Sequence, residues 1–276
     1  MTRWQRIPGP SGHDSGLWPR LHLYPKLRSE ELHNYRDILV ATPPGYDSSD
    51  EHYPVVYMHD GQNLFDPTTS YAGDWSLLET LAALARDGIE AIVVGITNTG
   101  TFRRYEYSPF RDEQHGGGDG ELYVEFLVET IKPLIDRSFR TEPDRASTLT
   151  AGSSLGGLVS LFSFLHRPDV FGAAGALSPA VWFAEEAILD FLPHDHTPRG
   201  RIYLDVGTAE DKRLVESVRR LRIRLEQLGW SPGTGFRYLE DTDAVHHESA
   251  WGRRFRGALP FLLSGDHQTP EGPHRA

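Results

Sequence analysis

Between Leu149 and Val159 the sequence Leu-Thr-Ala-Gly-Ser-Ser-Leu-Gly-Gly-Leu-Val leaves the backbone little choice. An apolar run ending at Ala151 meets Gly152-x-Ser154-x-Gly156-Gly157, and a helical pattern then begins with Leu155, Leu158, Val159 and Phe162. A strand, a tight turn and a helix in that order force residue 154 into a strained conformation. Glycines stand around it because a Cβ would collide. The bend lifts the Ser154 hydroxyl above the sheet edge and leaves the Leu155 N–H free in the first helical turn. A nucleophile and half of an oxyanion site thus come from one turn. Gly-x-Ser-x-Gly also arises by chance, and a phosphate-cradling loop is a further reading. Neither Gly-Lys-Ser/Thr nor Gly-x-Gly-x-x-Gly accompanies it.

The rest of the chain alternates strand-like and helix-like segments. Leu21, Leu23 and Ile38 to Val40 predict first strands at a sheet edge, and 55–59 a buried strand broken at Asp60-Gly61. Ala91 to Ile96 is apolar on both faces, as a central parallel strand is. Strands are expected over 171–177, 201–206 and 236–239. Helical stripes run through Leu77–Leu84, Leu122–Ile135, Leu214–Leu228 and Trp251–Leu262, with kinks expected at Pro133 and Pro260. A shorter helical stretch is expected near 185–191, and residues 97–120 read as a long, flexible loop. The alternation predicts an α/β architecture: one domain over 1–276, a mostly parallel sheet covered by helices on both faces. Residues 1–19 are expected to be loosely held, anchored by Trp4 and Trp18, and 264–276 to be a polar tail. In such sheets ligands bind beyond the carboxyl ends of the strands. Asp60, Ser154, Ser178, Gly207 and His246 all follow strands and should meet at one rim.

Composition narrows the chemistry. Lys+Arg 28 against Asp+Glu 39 gives a net charge of −11, which argues against nucleic acid or an anionic membrane as partner. With no cysteine, thiol catalysis, disulfides and zinc–thiolate sites are excluded. No stretch approaches the ~20 apolar residues of a membrane span, and the start has no apolar signal core. A cytoplasmic protein is the expectation.

A serine hydroxyl needs a base, and the base needs an orienting acid. After Ser154, the next acids past a strand end are Glu210 and Asp211; His246 and His247 then follow the last strand. Glu210 is the first choice for the acid and Asp211 the second, since an acid at a helix start can simply serve the helix dipole. His246-His247-Glu248 invites a metal, but its spacing is not that of a metalloprotease and no metal is expected. His194 and His196 are read as solvated. The second oxyanion donor is expected at the Gln62 N–H, beside Gly61, with a plain turn at 60–63 as the alternative.

These residues carry a family resemblance, from about Arg36 to Leu263. It rests on Tyr57-Met58-His59-Asp60-Gly61-Gln62-Asn63-Leu64-Phe65-Asp66, Arg103 through Glu106-Tyr107-Ser108-Pro109, and Gly152-Ser153-Ser154-Leu155-Gly156-Gly157. Ser178-Pro179 with Trp182, Asp205 through Glu210, and His246 through Trp251 complete it. The chain resembles the esterase family of the α/β-hydrolase superfamily, the branch of esterase D-like proteins, feruloyl esterases and enterochelin esterases. The resemblance implies an α/β-hydrolase fold and hydrolysis of a small-molecule ester without a cofactor, with Ser154 as nucleophile, His246 as base and Glu210 as acid. Relatives often carry Gly-Gly or Gly-x before the histidine, where this chain has Ala244-Val245. The spacing to Glu248 and Trp251 favours His246 over His247. Between Ser178 and Arg201 there is no room for a large cap domain, so an open site walled by the 97–120 loop and Trp182 is expected. Asp60, Arg103, Glu106 and Trp182 are the candidate substrate contacts. Arg103 and Glu106 are expected to pair and hold the loop, with gripping of substrate polar groups the rival role. Acyl transfer to an alcohol, and a non-catalytic binding protein on the same fold, are the alternatives to hydrolysis.

Overall fold

The computed structural model describes residues 4–8, 18–193, 200–233 and 235–264. The apolar runs make strands: β1 (Gln5–Ile7), β2 (Arg20–Ser29), β3 (Asn34–Thr42), β4 (Val55–His59), β5 (Ile92–Ile96), β6 (Thr148–Ser153), β7 (Ala173–Leu177), β8 (Arg201–Gly207) and β9 (Phe236–Asp241). They form one nine-stranded sheet in the order β1-β2-β3-β5-β4-β6-β7-β8-β9. The first three strands and the β3–β5 pair are antiparallel, and every pairing from β5 to β9 is parallel. The five central strands β4 to β8 are buried along their whole length, as parallel strands under helices on both faces must be.

The helices are α1 (Leu77–Ala85), α2 (Arg103–Glu106), α3 (Gly120–Glu125), α4 (Lys132–Ser138), α5 (Leu155–His166), α6 (Lys212–Gln227) and α7 (Glu248–Leu263). Strand alternation divides the core. Val56, Met58 and Val93 pack with Leu77 and Leu81 of α1 and with Trp251, Phe255 and Leu259 of α7. Val55, Tyr57 and Val94 face Tyr123 and Ile135 of α3 and α4, Leu158 and Phe162 of α5, and Val218 and Leu221 of α6. No helix among the described residues is long and apolar enough to cross a membrane.

Four expectations change in detail. The kink expected at Pro133 is a π turn over Phe126–Ile131, one step earlier, which accommodates a residue lacking an N–H just inside α4. Residues 97–120 are built rather than loose: a 3₁₀ turn and α2 are followed by a turn in which Asp112 and Gly116 exchange backbone hydrogen bonds, and Gly118 N–H donates to Ser108 O. Within the first nineteen residues, Gln5–Ile7 pairs with β2, and the Trp4 indole donates to Ser138 Oγ at 3.0 Å. The segment from 265 onward and the loop of His194, Asp195 and His196 lie outside the described residues. Between β7 and β8 the described chain makes only an irregular 3₁₀ stretch, Phe183–Leu189, where a helix was expected near 185–191.

Candidate active site

Ser154 stands between β6 and α5 with φ 57° and ψ −123°, outside the regions L-residues favour. Such strain costs on the order of 1–3 kcal/mol and persists only where neighbours over-determine it. Here they do. The Ser154 N–H donates to Leu177 O, and its carbonyl accepts from the N–H groups of Leu158 and Ala180. A Cβ at Gly152 would come within 2.8 Å of the Gly156 backbone, so helix and strand close on each other only with glycine there. Among the described residues nothing accepts the Leu155 N–H, which opens α5 beside the Ser154 side chain.

The loop after β4 supplies the facing wall. Asp60 takes a left-handed conformation (φ 57°, ψ 47°) and starts a 3₁₀ turn over Gly61–Asn63. Gly61 lies so close to β5 that a Cβ would stand 2.5 Å from the Gly95 carbonyl carbon. The Gln62 N–H has no acceptor among the described residues, whereas the Gln62 side chain accepts from Asn98 N–H at 3.2 Å. Arg103 Nε and Nη2 donate to the two Asp60 carboxylate oxygens at 2.7 and 2.8 Å, and Asn98 Nδ2 adds a third bond at 2.7 Å. Burial alone would raise the Asp60 carboxyl, but the Arg103 charge and these hydrogen bonds outweigh it and leave it below its ordinary value.

The expected Arg103–Glu106 pair is therefore not made. Glu106 points the other way, 2% exposed, into a buried cluster with Arg36 Nη2 at 3.0 Å, Asn34 Nδ2 at 2.6 Å and Thr99 Oγ1 at 2.8 Å. Residues three apart on a helix can meet, but each here is paired across the fold, Arg103 with Asp60 and Glu106 with Arg36. Trp182 is likewise no wall of the cleft. Its ring meets His115 edge-on at 5.7 Å and lies under the Arg213 guanidinium at 5.3 Å.

Glu210 follows β8. Its Oε1 accepts from Gly207 N–H at 2.8 Å and Ser178 Oγ at 2.6 Å, and its Oε2 lies 2.6 Å from His246 Nδ1. Burial pushes its carboxyl up, but the bonds from His246, Ser178 and Gly207 bring it below its ordinary value. Asp211, the rival acid, caps α6 instead, accepting from the N–H groups of Arg213 and Leu214. His247 similarly caps α7, its ring accepting from Ser249 N–H, and Glu248 turns to Asn63 Nδ2 at 3.4 Å. The His-His-Glu run thus points in three directions. Among the described residues no three His, Asp or Glu side chains are grouped to hold a metal ion.

His246 and Ser154 line one cleft of about 500 Å³ together with Asp60, Gln62, Asn98 and Arg103. No direct hydrogen bond joins the serine to the histidine, and such contacts often tighten only around substrate. Tyr71 and Ala72 also line the cleft without having been marked from the sequence, whereas Asn63 and Asn98 belong to the 60–63 turn and the 97–120 loop already expected at the site. Tyr71, 93% exposed, sits in a stretch with no periodic signal. Arg254 beneath Glu210 did have one: it lies three residues after Trp251, on the buried stripe of α7, where a charge needs partners.

Comparison with known proteins bears on the chemistry. The family model described as "Putative esterase" matches residues 29–262. YbbA of Bacillus subtilis (strain 168) is 25% identical over 254 residues, 87% of this chain and 98% of YbbA. Ferri-bacillibactin esterase BesA of the same organism is 27% identical over 250 residues, 80% of this chain and 81% of BesA. The fold is similar to that of the BES protein from Bacillus cereus, with a TM-score of 0.71 and 19% identity over 96% of each chain. With the family match running from β2 almost to the end of α7, this chain belongs to the esterase family, carboxylic-ester hydrolases of α/β-hydrolase type.

Proposed function

We propose that the chain is a serine carboxylic-ester hydrolase working through an acyl-enzyme, with Ser154, His246 and Glu210 as its catalytic residues. The observation that carries this is the 2.6 Å Glu210–His246 pair opening onto the same cleft as the strained Ser154 turn. Ser154 Oγ attacks the ester carbonyl while its proton passes to His246 Nε2. Glu210 holds the Nδ1–H and stabilises the imidazolium. The N–H groups of Leu155 and Gln62 receive the developing oxyanion, each donor typically contributing ~3–4 kcal/mol in the transition state. As the C–O bond breaks, His246 returns the proton to the leaving alcohol. It then deprotonates a water that attacks the acyl carbon, and as the bond to Ser154 Oγ breaks it returns that proton to the serine, releasing the acid and the free enzyme. No step needs a cofactor.

Ser154→Ala is expected to remove ~10³-fold or more of the turnover while preserving the fold. Nitrophenyl ester kinetics with a thermal melt measure both, and unchanged hydrolysis would refute the assignment. The substrate is read as a small ester entering an open cleft. BesA is named an esterase of ferri-bacillibactin, so a siderophore lactone belongs in the first substrate panel beside feruloyl, acetyl-sugar and nitrophenyl esters. Residues 1–276 are taken to work as one domain, with neither nucleic acid nor membrane as partner, which the net charge of −11 supports. A cytoplasmic location belongs to the same reading: a chain without cysteine gains nothing from an oxidising compartment. Cell fractionation checks it.

A further inference from the structure

Ser178, at the end of β7, is fully buried and has φ 41°, a left-handed backbone that would cost glycine nothing. A serine held there against that preference points to its hydroxyl. The Ser178 N–H is held by Asp205, through its carbonyl O and its Oδ1, both at 3.0 Å. The hydroxyl has three partners: Trp251 Nε1 at 3.1 Å, Arg254 Nη2 at 2.7 Å and Glu210 Oε1 at 2.6 Å.

A hydroxyl has one hydrogen and two lone pairs. The indole N–H and the guanidinium can only donate, so they occupy both lone pairs. The single hydrogen is then left for Glu210, an acceptor when ionised. Arg254 cannot reverse this polarity, because it carries no acceptor and stays charged. It is itself fixed, 3% exposed, with Nε 3.0 Å from Asp205 Oδ2 and Nη1 3.6 Å from Asp241 Oδ2. With Oε1 taken by Ser178 and Gly207, and Arg254 Nη2 a further 3.5 Å ion-pair partner of the same oxygen, the remaining oxygen of Glu210 faces His246. Trp251 touches both ends of the arrangement, since its ring also meets His246 edge-on at 4.7 Å.

We propose that Ser178 is a positioning residue for the reaction: an obligate hydrogen-bond donor, its direction set by Arg254 and Trp251, that locks Glu210 with Oε2 toward His246 Nδ1. This rests on the catalytic roles proposed above for Ser154, His246 and Glu210.

Ser178→Gly tests it, because glycine accepts the backbone conformation and only the hydroxymethyl group is lost, with the bonds it makes to Glu210, Trp251 and Arg254. The expected result is a ~10–100-fold fall in kcat with KM within about twofold, a fraction of what a general base contributes. The downfield proton resonance of the His246 Nδ1–H should move upfield or vanish by exchange, while the melting temperature stays at or above that of Ser178→Ala. Trp251→Phe keeps a ring beside His246 but frees one lone pair of the hydroxyl, and should move the same resonance less; it serves if Ser178→Gly does not fold. A folded Ser178→Gly with kcat within twofold of the parent and an unmoved resonance overturns the proposal, as does an unmoved resonance in Trp251→Phe. Ser154→Ala separates the two ideas. If it abolishes hydrolysis while Ser178→Gly matches the parent enzyme, only the role of Ser178 fails; if it leaves hydrolysis intact, the reading of the whole site fails.

Discussion

Glu210 and Asp211 are neighbours with opposite duties. The chain leaves β8 so that Glu210 turns inward to His246, while Asp211 sits at the start of α6 and satisfies two of its free N–H groups. Glu210→Gln is therefore expected to lower kcat by ~10²–10⁴-fold, since an amide favours the wrong imidazole tautomer. Asp211→Ala should leave kcat alone and cost about 1 kcal/mol of stability, the usual worth of a cap. Steady-state kinetics and urea melts on the two variants measure this, and reversed phenotypes would exchange the assignments. Sequence order narrowed the acid to these two and the base to His246 or His247. The helix-dipole role open to an acid at a helix start ranked Glu210 before Asp211, and the spacing to Glu248 and Trp251 ranked His246 before His247. Order alone could not separate either pair, because adjacent residues differ by side-chain direction, which the strand end and the following cap decide.

At the level of elements, the wall opposite Ser154 depends on how closely one loop approaches one strand. Gly61 lies on the β5 backbone, and a methyl there would overlap Gly95 and Ile96. Gly61→Ala should push the 60–63 turn outward and carry the Gln62 N–H away from the oxyanion position proposed for it. A displacement near 1 Å in such a group costs ~10²-fold in turnover. The check is kcat beside far-ultraviolet circular dichroism: parental turnover in a folded variant would remove Gln62 from the oxyanion role. The turn itself was legible from the break at Asp60-Gly61. The Asp60–Arg103 and Arg36–Glu106 pairs were not, because they depend on β3, β5 and β4 lying in that lateral order. Apolar periodicity marks a strand but does not say which strand lies beside it, so charge partners 43 and 70 residues apart were out of its reach.

Over the whole molecule, the parallel run from β5 to β9 brings the strand ends that carry Asp60, Ser154, Ser178, Glu210 and His246 to one rim. That much followed from strand–helix alternation, because right-handed crossovers in a parallel sheet leave every strand pointing the same way. The same convergence buries His59 at the end of β4, directly behind the serine turn, where a Gly152 Cβ would lie 3.0 Å from its ring. Both ring nitrogens are engaged, Nδ1 with Tyr123 OH at 2.8 Å and Nε2 with Thr150 Oγ1 at 3.2 Å. Burial lowers His59 from 6.5 to about 3; Asp60 opposes the shift, and Arg103 and Arg36 add to it. Between those two values the unfolded chain binds a proton that the folded one refuses, so stability must fall as pH drops from 6.5 towards 3. The slope from this group approaches ~1.4 kcal/mol per pH unit. His59→Gln keeps a donor and an acceptor but cannot titrate. Urea unfolding of both proteins at a series of pH values from 7 to about 4 should give a shallower fall for the variant, whatever the carboxylates contribute to both. Parallel curves would mean that the folded protein lets this imidazole take up a proton, and that the packing behind Ser154 is looser than its contacts require.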